Sequence, residues 1–305
     1  MRRTQRNVLI GIGVLIAACA SAQAPQPSVG GNPQQQTATR PPSVTRVETS
    51  PRLTQTAPQP VGFESDVYCF GYLGDYSETF PIKIVSAESL AEQINYITGD
   101  LVYTDGGYDK GLRVGDVYWL ETAEQEVFHP VTGQSLGRLY QHRGRAVVFS
   151  VEPRTAILKV LNSCTDIPLG AGLRKFEPIP IPLARRSPPA VAGDPPSGKA
   201  TGHIVFTRDG VVALGADANV IVDLGLANGL SPGDFLTVYR YSTGREYGVK
   251  PLGTYWVNVP PPAGGSVPRT YLGEAAVLVV GDRWSVVRLT DSYRLIEVGD
   301  EVEIK

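Results

Sequence analysis

Short apolar runs, rather than long amphipathic stretches, set the pattern of the chain from residue 61 onward. Residues 146–151 and 275–280 are nearly continuous apolar runs, of a length that suits strands buried on both faces. Each is followed by a turn and a second apolar run, at 156–160 and 285–289. Five or six such strands per roughly 100 residues, with Gly-rich turns, predict a mainly β protein built from small closed barrels, which leave no open sheet edge.

One segment has a helical pattern instead. Ser86 is a candidate N-cap, and Leu90, Ile94 and Ile97 fall on one face of a helix over 86–97. This is the one helix that the pattern predicts after the N-terminal region.

The chain also repeats itself. The turn sequence Gly-Leu-x-x-Gly-Asp occurs at 111–116 and again at 229–234, an offset of 118, and each copy precedes an alternating strand. Further along, the match continues at an offset of 129, where Gly144 aligns with Gly273. An insertion around 260–265 accounts for the longer offset. The sequence therefore predicts two tandem copies of one domain.

Two Pro-rich and polar segments divide the chain. Residues 19–60 are rich in Gln, Pro, Thr and Ser, which predicts a disordered tether. Residues 177–200 alternate Pro with Ile and then carry Pro pairs, which predicts a Pro-rich linker that acts as a semi-rigid spacer. The predicted β-barrel domains are therefore copy 1 over 61–176 and copy 2 over 201–305.

The N-terminus has the layout of an export signal. Arg2, Arg3 and Arg6 precede an uncharged apolar run that is too short to span a bilayer as a helix. The run ends in Ile-Ala-Ala-Cys, which resembles the bacterial lipobox. The sequence thus predicts a signal peptide over 1–18 and lipidation of Cys19, with the protein anchored in the outer membrane and facing the periplasm.

The sequence also contains a second candidate cleavage site. Ala20-Ser21-Ala22 is a site for ordinary signal peptidase, and cleavage after Ala22 would remove Cys19. The product would then be a soluble periplasmic protein.

The other two cysteines form a candidate pair. Cys69 and Cys164 each lie in or beside a strand-like segment, and export would place them in an oxidising compartment. We predict a disulfide that closes a loop of about 95 residues, which the chain-entropy model credits with about 4–5 kcal/mol. The alternative is two unpaired, small apolar side chains.

Composition and charge exclude several classes of protein. The chain has 33 Gly and 25 Pro but only 19% charged residues, which excludes a helical bundle and a coiled coil. The formal net charge of −2 argues against a nucleic-acid partner. Removal of the signal peptide would make the net charge more negative, since residues 1–18 contain three Arg and no acid. Membrane attachment is therefore expected through acyl chains rather than through a basic patch.

No motif for catalysis or for a cofactor emerges. Gly-Leu-x-x-Gly-Asp lacks the Lys-Ser/Thr of a phosphate loop, and its Gly and Asp suit a tight turn. His129, His142 and His203 have no metal-ligand spacing. Asp105 and Asp223 recur at the same place in the two copies, which favours a structural role. We therefore predict no catalytic residue, no metal and no cofactor.

Aromatic residues leave a binding role open. Tyr68, Phe70, Tyr72 and Tyr76 cluster early in the first copy. A second group lies in one hairpin of the second copy: Tyr239, Tyr241, Tyr247 and Tyr255. Exposed aromatic side chains stack on sugars or anchor protein interfaces, whereas buried ones stabilise a barrel through cross-strand pairs.

The repeated unit resembles the C-terminal domain of the flagellar assembly protein T family. The resemblance rests on Gly-Leu-x-x-Gly-Asp, then Pro-x-Thr-Gly with a following Leu-Gly, then a Gly-initiated strand pair. It implies a small β-barrel in the cell envelope without catalytic residues. Members of that family build a periplasmic ring, which implies action through protein–protein contacts.

The sequence thus predicts a non-catalytic envelope lipoprotein. It would act as a scaffold or accessory factor through contacts with other envelope proteins, with a flagellar-ring-like role as one form. The alternative is a module that binds peptidoglycan or another polysaccharide.

Overall fold

The computed structural model describes residues 57–88, 95–191, 193–208, 210–211, 213–241, 245–250, 253–258 and 269–305. Over these residues the protein is mainly β, with 49% strand and 5% helix. The predicted signal peptide, the lipidation site Cys19, the alternative cleavage site at Ala22 and the tether as far as residue 56 lie outside the described residues. No described helix is both long and apolar enough to cross a membrane.

The first half of the chain forms a seven-stranded antiparallel sheet. A short helix, α1 (Glu64–Tyr68), precedes it. The strands are β2 (Tyr72–Gly74), β3 (Ile84–Ala87), β5 (Leu101–Thr104), β6 (Val117–Phe128), β7 (Ser135–Val151), β8 (Ala156–Ser163) and β10 (Gly172–Lys175). Their order is β10-β6-β7-β8-β5-β3, with β2 paired to β7. The strands β4 (Asn95–Tyr96) and β9 (Ile167–Pro168) pair with each other.

Backbone hydrogen bonds also join the two ends of this sheet. Lys83, just before β3, bridges Gly172 at the start of β10. The amide of Ile84 donates to the carbonyl of Ala171 at 2.9 Å, and the amide of Leu173 donates to that of Ile82 at 2.9 Å. The first sheet therefore curls until its edge strands meet, and these hydrogen bonds pair backbone groups that an open edge would leave free.

The second half forms a closed six-stranded barrel. Its strands are β12 (Thr201–Thr207), β13 (Asn219–Val222), β14 (Phe235–Tyr241), β17 (Arg269–Val280), β18 (Ser285–Ser292) and β19 (Glu301–Ile304). Around the barrel they run β12-β13-β18-β17-β14-β19. A separate two-stranded ribbon consists of β15 (Arg245–Lys250) and β16 (Gly253–Asn258). The predicted mainly β fold with a small closed barrel is confirmed here.

Strand positions in the two halves follow the sequence offsets. The strand β5 starts 118 residues before β13, and β8 starts 129 residues before β18. The predicted turns also match: the amides of Gly115 and Gly233 donate to Val148 and Val277, both at 2.9 Å. An origin of the two halves by duplication stays a prediction.

Three apolar clusters hold the structure together. One fills the second barrel, around Leu236 and Val287, and one fills the first sheet, around Leu120 and Leu158. The third lies between the halves and contains Val67, Phe70, Leu73, Val127, Leu139, Val205, Ile221, Leu278 and Val286. We call it the junction cluster. Because both halves contribute to it, they pack against each other instead of hanging from a spacer.

The Pro-rich segment differs from the predicted spacer. Ile179 and Ile181 pack against the junction cluster, and the Tyr68 hydroxyl donates to the carbonyl of Ile179 at 2.8 Å. Its strand β11 (Leu183–Ala184) pairs with β1 (Gln59–Pro60). The last residues of the predicted tether are thus ordered. The alternation of Pro with Ile presents both Ile side chains to an apolar surface, which outweighs the extended, solvated state.

Strands replace part of the predicted helix over 86–97. Ser86 lies in β3 and pairs with Tyr103, so it caps no helix, and Tyr96 is a buried residue of β4. Leu90 and Ile94 lie outside the described residues. Strand pairing with β5 satisfies the backbone of Ser86 and outweighs the weak helical preference of so short a segment.

Candidate functional site

The predicted cysteine pair is joined. Cys69 and Cys164 form a disulfide, with Cα atoms 5.4 Å apart and 95 residues between them in sequence. Cys69 directly follows α1, and Cys164 directly follows β8. The bond therefore fixes the N-terminal segment, which supplies Val67 and Phe70 to the junction cluster, to the first sheet.

A histidine–carboxylate cluster bridges the two halves. His129 lies in the tip of the β6–β7 hairpin, where Gly133 adopts the left-handed conformation with a φ of 72°. Its Nε2 lies 2.9 Å from Oδ2 of Asp223, which follows β13 in the second barrel. The Nδ1 of His203, on β12, lies 3.6 Å from the same oxygen. Among the described residues, these three could together hold a metal ion.

The hydrogen bonds of His129 argue against a metal. Its Nδ1 accepts the amides of Val131 and Thr132 at 3.1 and 3.2 Å. In a neutral ring, Nε2 then carries the proton and donates it to Asp223. A metal at Nε2 would push that proton onto Nδ1, against two amide donors. The cluster therefore fits a structural clasp, and we assign no metal to it.

Asp223 binds the strand beside it as well. Its Oδ1 accepts the amide of His203. Asp105, at the corresponding place in the first half, accepts the amide of Lys83 at 2.8 Å. Both duplicated aspartates thus hold the backbone of the neighbouring strand, which is the structural role that their repetition predicts.

Charge within the cluster shifts two pKa values. The adjacent Asp223 carboxylate raises the pKa of His203 above its ordinary value, although partial burial opposes the rise. Burial pushes the pKa of Asp223 upward, but the interactions with His203 and His129 are stronger together and leave it below its usual range. Because the Asp223–His203 distance exceeds a hydrogen bond, we attribute the effect on His203 to charge.

His142, the third histidine, belongs to a buried ionic network in the first half. Glu121 is fully buried and lies 2.9 Å from Nδ1 of His142, while two nitrogens of Arg174 donate to it. Trp119 stacks on His142 with ring centroids 4.2 Å apart. The buried carboxylate of Glu121 is thus paired with the half-exposed guanidinium of Arg174 and lies beside His142, which fits a structural role for the network.

Most of the described candidate aromatics are used internally. Phe70 is in the junction cluster, Tyr68 contacts Trp119, and Tyr72 stacks on Tyr140 at 5.2 Å. Tyr76 is exposed. Tyr239 is buried and Tyr241 half-buried in the second barrel, and burial raises the pKa of the Tyr239 hydroxyl. The side chains of Tyr247 and Tyr255 lie outside the described residues.

One outer face of the second barrel is completely covered. We define this covered face by Val205, Ile221, Leu278 and Val286, all buried in the junction cluster. The first half supplies the cover, through α1, the N-terminal segment and the β6–β7 hairpin. Two charged residues seal its margin.

At that margin Arg288 meets a carboxylate of α1. Its Nη1 lies 3.1 Å from Oδ2 of Asp66, and Asn219 donates to the other oxygen of Asp66 at 2.9 Å. The Arg288 guanidinium also lies over the Phe63 ring at 4.5 Å. The covering surface of the first half is therefore apolar, and its acidic side chain Asp66 faces the basic Arg288 of the second half.

The corresponding face of the first half is open. Its members are Val85, Tyr103, Phe149 and Ile157, which occupy the strand positions of Val205, Ile221, Leu278 and Val286. Phe149 is 64% exposed and Val85 is 53% exposed, against 1% for Leu278 and 3% for Val205. We call this set the open face.

The match between the two faces extends to their β-bulges. Val85 and Val205 each sit at a register shift, and so do Phe149 and Leu278. A bulge turns one side chain out of the regular alternation of a strand. In both halves it therefore presents two apolar side chains on the outer surface.

Beside the open face lies a shallow cavity that is lined by charged residues of both signs: Lys159, Glu88 and Asp100. Its volume is about 450 Å³, and Phe149, Lys159, Leu101, Ala87 and Glu88 are among its lining residues. Lys159 holds the place of Arg288 and is exposed. In the described part of the chain, no ion pair of Lys159 is found.

Comparison with known proteins adds no assignment. No protein-family model matches the chain, and no curated protein matches it. The resemblance to the flagellar assembly protein T domain therefore stays a prediction.

Proposed function

We propose that the chain is a non-catalytic, exported cell-envelope lipoprotein that acts as a scaffold or accessory factor through protein–protein contacts. The observation that carries the proposal is the open face. Exposed apolar side chains that lie next to one another on a protein surface often mark an interaction site. The proposal is supported by the corresponding surface of the second half, which is covered by the first half of the same chain.

Chemistry of the open face defines the partner. By analogy with the cover of the second barrel, the partner presents apolar side chains to Phe149 and Val85 and an acidic group to Lys159. Such an interface has an aromatic anchor at its centre and a charged margin. A flagellar-ring-like assembly is one setting for such contacts.

Export is supported by two independent features. The apolar run before Cys19 has the layout of a signal peptide. The Cys69–Cys164 disulfide is typical of proteins in oxidising compartments. Lipidation of Cys19 would keep the protein at the outer membrane. A role that consists of binding other proteins requires no active site.

The test is site-specific photo-cross-linking in the native host. A photoreactive phenylalanine analogue replaces Phe149 in the full chain, and a matched variant carries it at Phe128, which is exposed on the β6–β7 hairpin. We expect adducts with envelope proteins, identified by mass spectrometry, from position 149 and not from position 128. Palmitate labelling that disappears in Cys19→Ala checks the anchor.

Two outcomes would overturn the proposal. One is the absence of any protein adduct at position 149. The other is co-sedimentation of the protein with purified peptidoglycan sacculi and release by soluble fragments, with no loss in Phe149→Glu. The second result would favour the polysaccharide-binding alternative.

A further inference from the structure

A Pro-rich strap lies against one side of the second barrel. We define the strap as residues 186–191 and 193–197, which lie between β11 and β12 in the chain. Its four prolines are exposed. No described side chain of the strap packs in or against the three apolar clusters. Polar contacts therefore attach it to the barrel.

Two buried carboxylates of the barrel accept hydrogen bonds from the strap backbone. Glu274 on β17 accepts the amide of Ala190 at 3.3 Å, and Glu303 on β19 accepts that of Ser197 at 2.7 Å. Both bonds go to main-chain groups, which every residue except Pro carries. They therefore require a free amide at two positions and place no demand on the side chains there.

Two cations of the second half bind strap carbonyls. Arg269 donates to the carbonyl of Pro195 at 2.7 Å, and Lys305 donates to that of Pro188 at 3.0 Å. The same cations form ion pairs with the buried carboxylates, Arg269 with the one on β19 and Lys305 with the one on β17. Opening of the strap therefore leaves the buried charges paired. We call these two carboxylates and two cations the strap groove.

Side chains at the two ends of the strap also contact the barrel. Arg186 pairs with Asp291, but its side chain is mostly exposed, and exposed ion pairs contribute little to stability. The Ser197 hydroxyl donates to the carbonyl of Ile304 at 2.7 Å. A segment with few apolar contacts and exposed hydrogen bonds opens locally at a fraction of the free energy of global unfolding.

A segment of the first half lies at the corresponding place. The rings of Tyr68 and Tyr72 contact three residues of that sheet: Tyr140, Arg145 and Arg174. By strand register, these three hold the positions of Arg269, Glu274 and Glu303. Residues 68–74 are thus the counterpart of the strap.

Three features fix residues 68–74 in place. The strand β2 pairs with β7, Phe70 and Leu73 are buried, and Cys69 is bonded to Cys164. The strap as described contains no strand and no buried apolar side chain, and its sequence contains no cysteine. The chain therefore carries a covalently fixed segment and a segment held by polar contacts over equivalent strand positions.

From these contacts we propose that the strap opens as a unit while the barrel stays folded, and that the strap groove then binds an extended, Pro-containing segment of a partner protein in its place. Such segments keep an extended, solvated backbone before binding, so they lose little conformational entropy. The strap itself shows the spacing of amides and carbonyls that a ligand needs. The strap groove shares no residue with the open face, so this inference does not rest on the proposed function.

Hydrogen exchange of the full wild-type chain, followed by mass spectrometry, tests the opening. We expect the strap amides to exchange at least about 100-fold faster than those of residues 68–74 with the disulfide intact. Low concentrations of urea should leave the exchange rate of the strap unchanged, because a local opening exposes little surface.

A fluorescent peptide with the sequence of residues 186–197 tests the binding. The full chain with Ala190→Pro and Ser197→Pro loses both strap amides that bind the groove, so it should bind the peptide at least about tenfold more tightly than wild type does. Pro189→Ala, at an exposed position, is the control and should keep the wild-type affinity. A peptide that carries the same two Pro substitutions should not bind, because it lacks the amides that Glu274 and Glu303 accept.

Two results would overturn the inference. Exchange of the strap amides only through global unfolding, with the urea dependence of β17, would make the strap a fixed part of the barrel. Equal binding of the two peptides, or no gain in the double variant, would remove the binding role of the groove. Neither result affects the adducts expected from position 149, so the proposed function is tested separately.

Discussion

At the scale of single residues, Asp223 is the group on which both halves converge. It accepts the amide of His203 from its own barrel and the Nε2 proton of His129 from the other half. A neutral side chain at this position would keep the shape but lose the charge that binds both histidines. The position therefore couples the fold to pH.

His203 makes that coupling measurable. A group whose pKa is raised in the folded state contributes stability that is fully present below its unfolded pKa of about 6.5 and is lost as the pH rises through the folded value. We expect the urea midpoint of the wild type to fall between about pH 6 and pH 8 by more than that of His203→Gln. Asp105→Asn is the matched control, since Asp105 binds a strand amide without a histidine, and it should keep the wild-type slope. Equal slopes in wild type and His203→Gln would contradict the assignment.

Sequence reasoning could reach only part of this cluster. The duplicated aspartates and the His129 turn were predictable because their signals are local: a repeated spacing and a Pro-x-Thr-Gly tip. The partnership of His129 with Asp223 was not, because 94 residues separate them and neither has a neighbouring ligand motif. Only the packing of one half on the other brings them together.

At the scale of elements, close strand crossings depend on glycine. Gly273 on β17 faces the neighbouring strand β18, and a Cβ there would lie 2.2 Å from the carbonyl oxygen of Asp291. Gly144 stands at the equivalent point of the first half, where a Cβ would lie 2.4 Å from the carbonyl oxygen of Asn162. In both halves, two neighbouring strands thus pass each other at a point that has no room for a side chain.

A substitution at that point tests the geometry. Gly273→Ala should lower the free energy of unfolding by about 3 kcal/mol, because backbone has to move to admit the methyl group. Gly215→Ala is the matched control, since nothing lies within 4 Å of its added Cβ, and it should leave stability unchanged or raise it by up to about 1 kcal/mol. Chemical denaturation of both variants gives the comparison, and equal effects would refute the close crossing.

Element prediction worked where a strand had its own signal. The runs at 146–151 and 275–280 lie in β7 and β17, which confirms the prediction that they are strands. Burial on both faces holds for residues 275–278, whereas Phe149 in the first run is 64% exposed. Over 86–97 the pattern suited a helix, but partners distant in sequence, β5 and β9, pair with the described ends of that segment. Such long-range pairing is invisible in a local period.

At the scale of the whole molecule, the junction cluster makes the two halves one cooperative unit. The covered face of the second half and the open face of the first half can be compared by substitutions at corresponding positions. Leu278→Ala removes a buried side chain and should cost about 3 kcal/mol, whereas Phe149→Ala, on the open face, should change stability by less than about 0.5 kcal/mol.

Calorimetry provides the measurement. We expect one unfolding transition for the wild type and a shift of that whole transition in Leu278→Ala, because the cluster spans both halves. Two separate transitions, with only the second half affected, would mean that the halves unfold independently.

The Cys69–Cys164 disulfide has a consequence for the order of events during biosynthesis. Both cysteines precede the second barrel in the chain, so a protein delivered from its N-terminus can close this bond before β12 has emerged. The segment with Val67 and Phe70 is then already fixed to the first half when its binding partner arrives. The first half would thus be folded before the second barrel packs against it. Formation of the Cys69–Cys164 disulfide would precede that packing step.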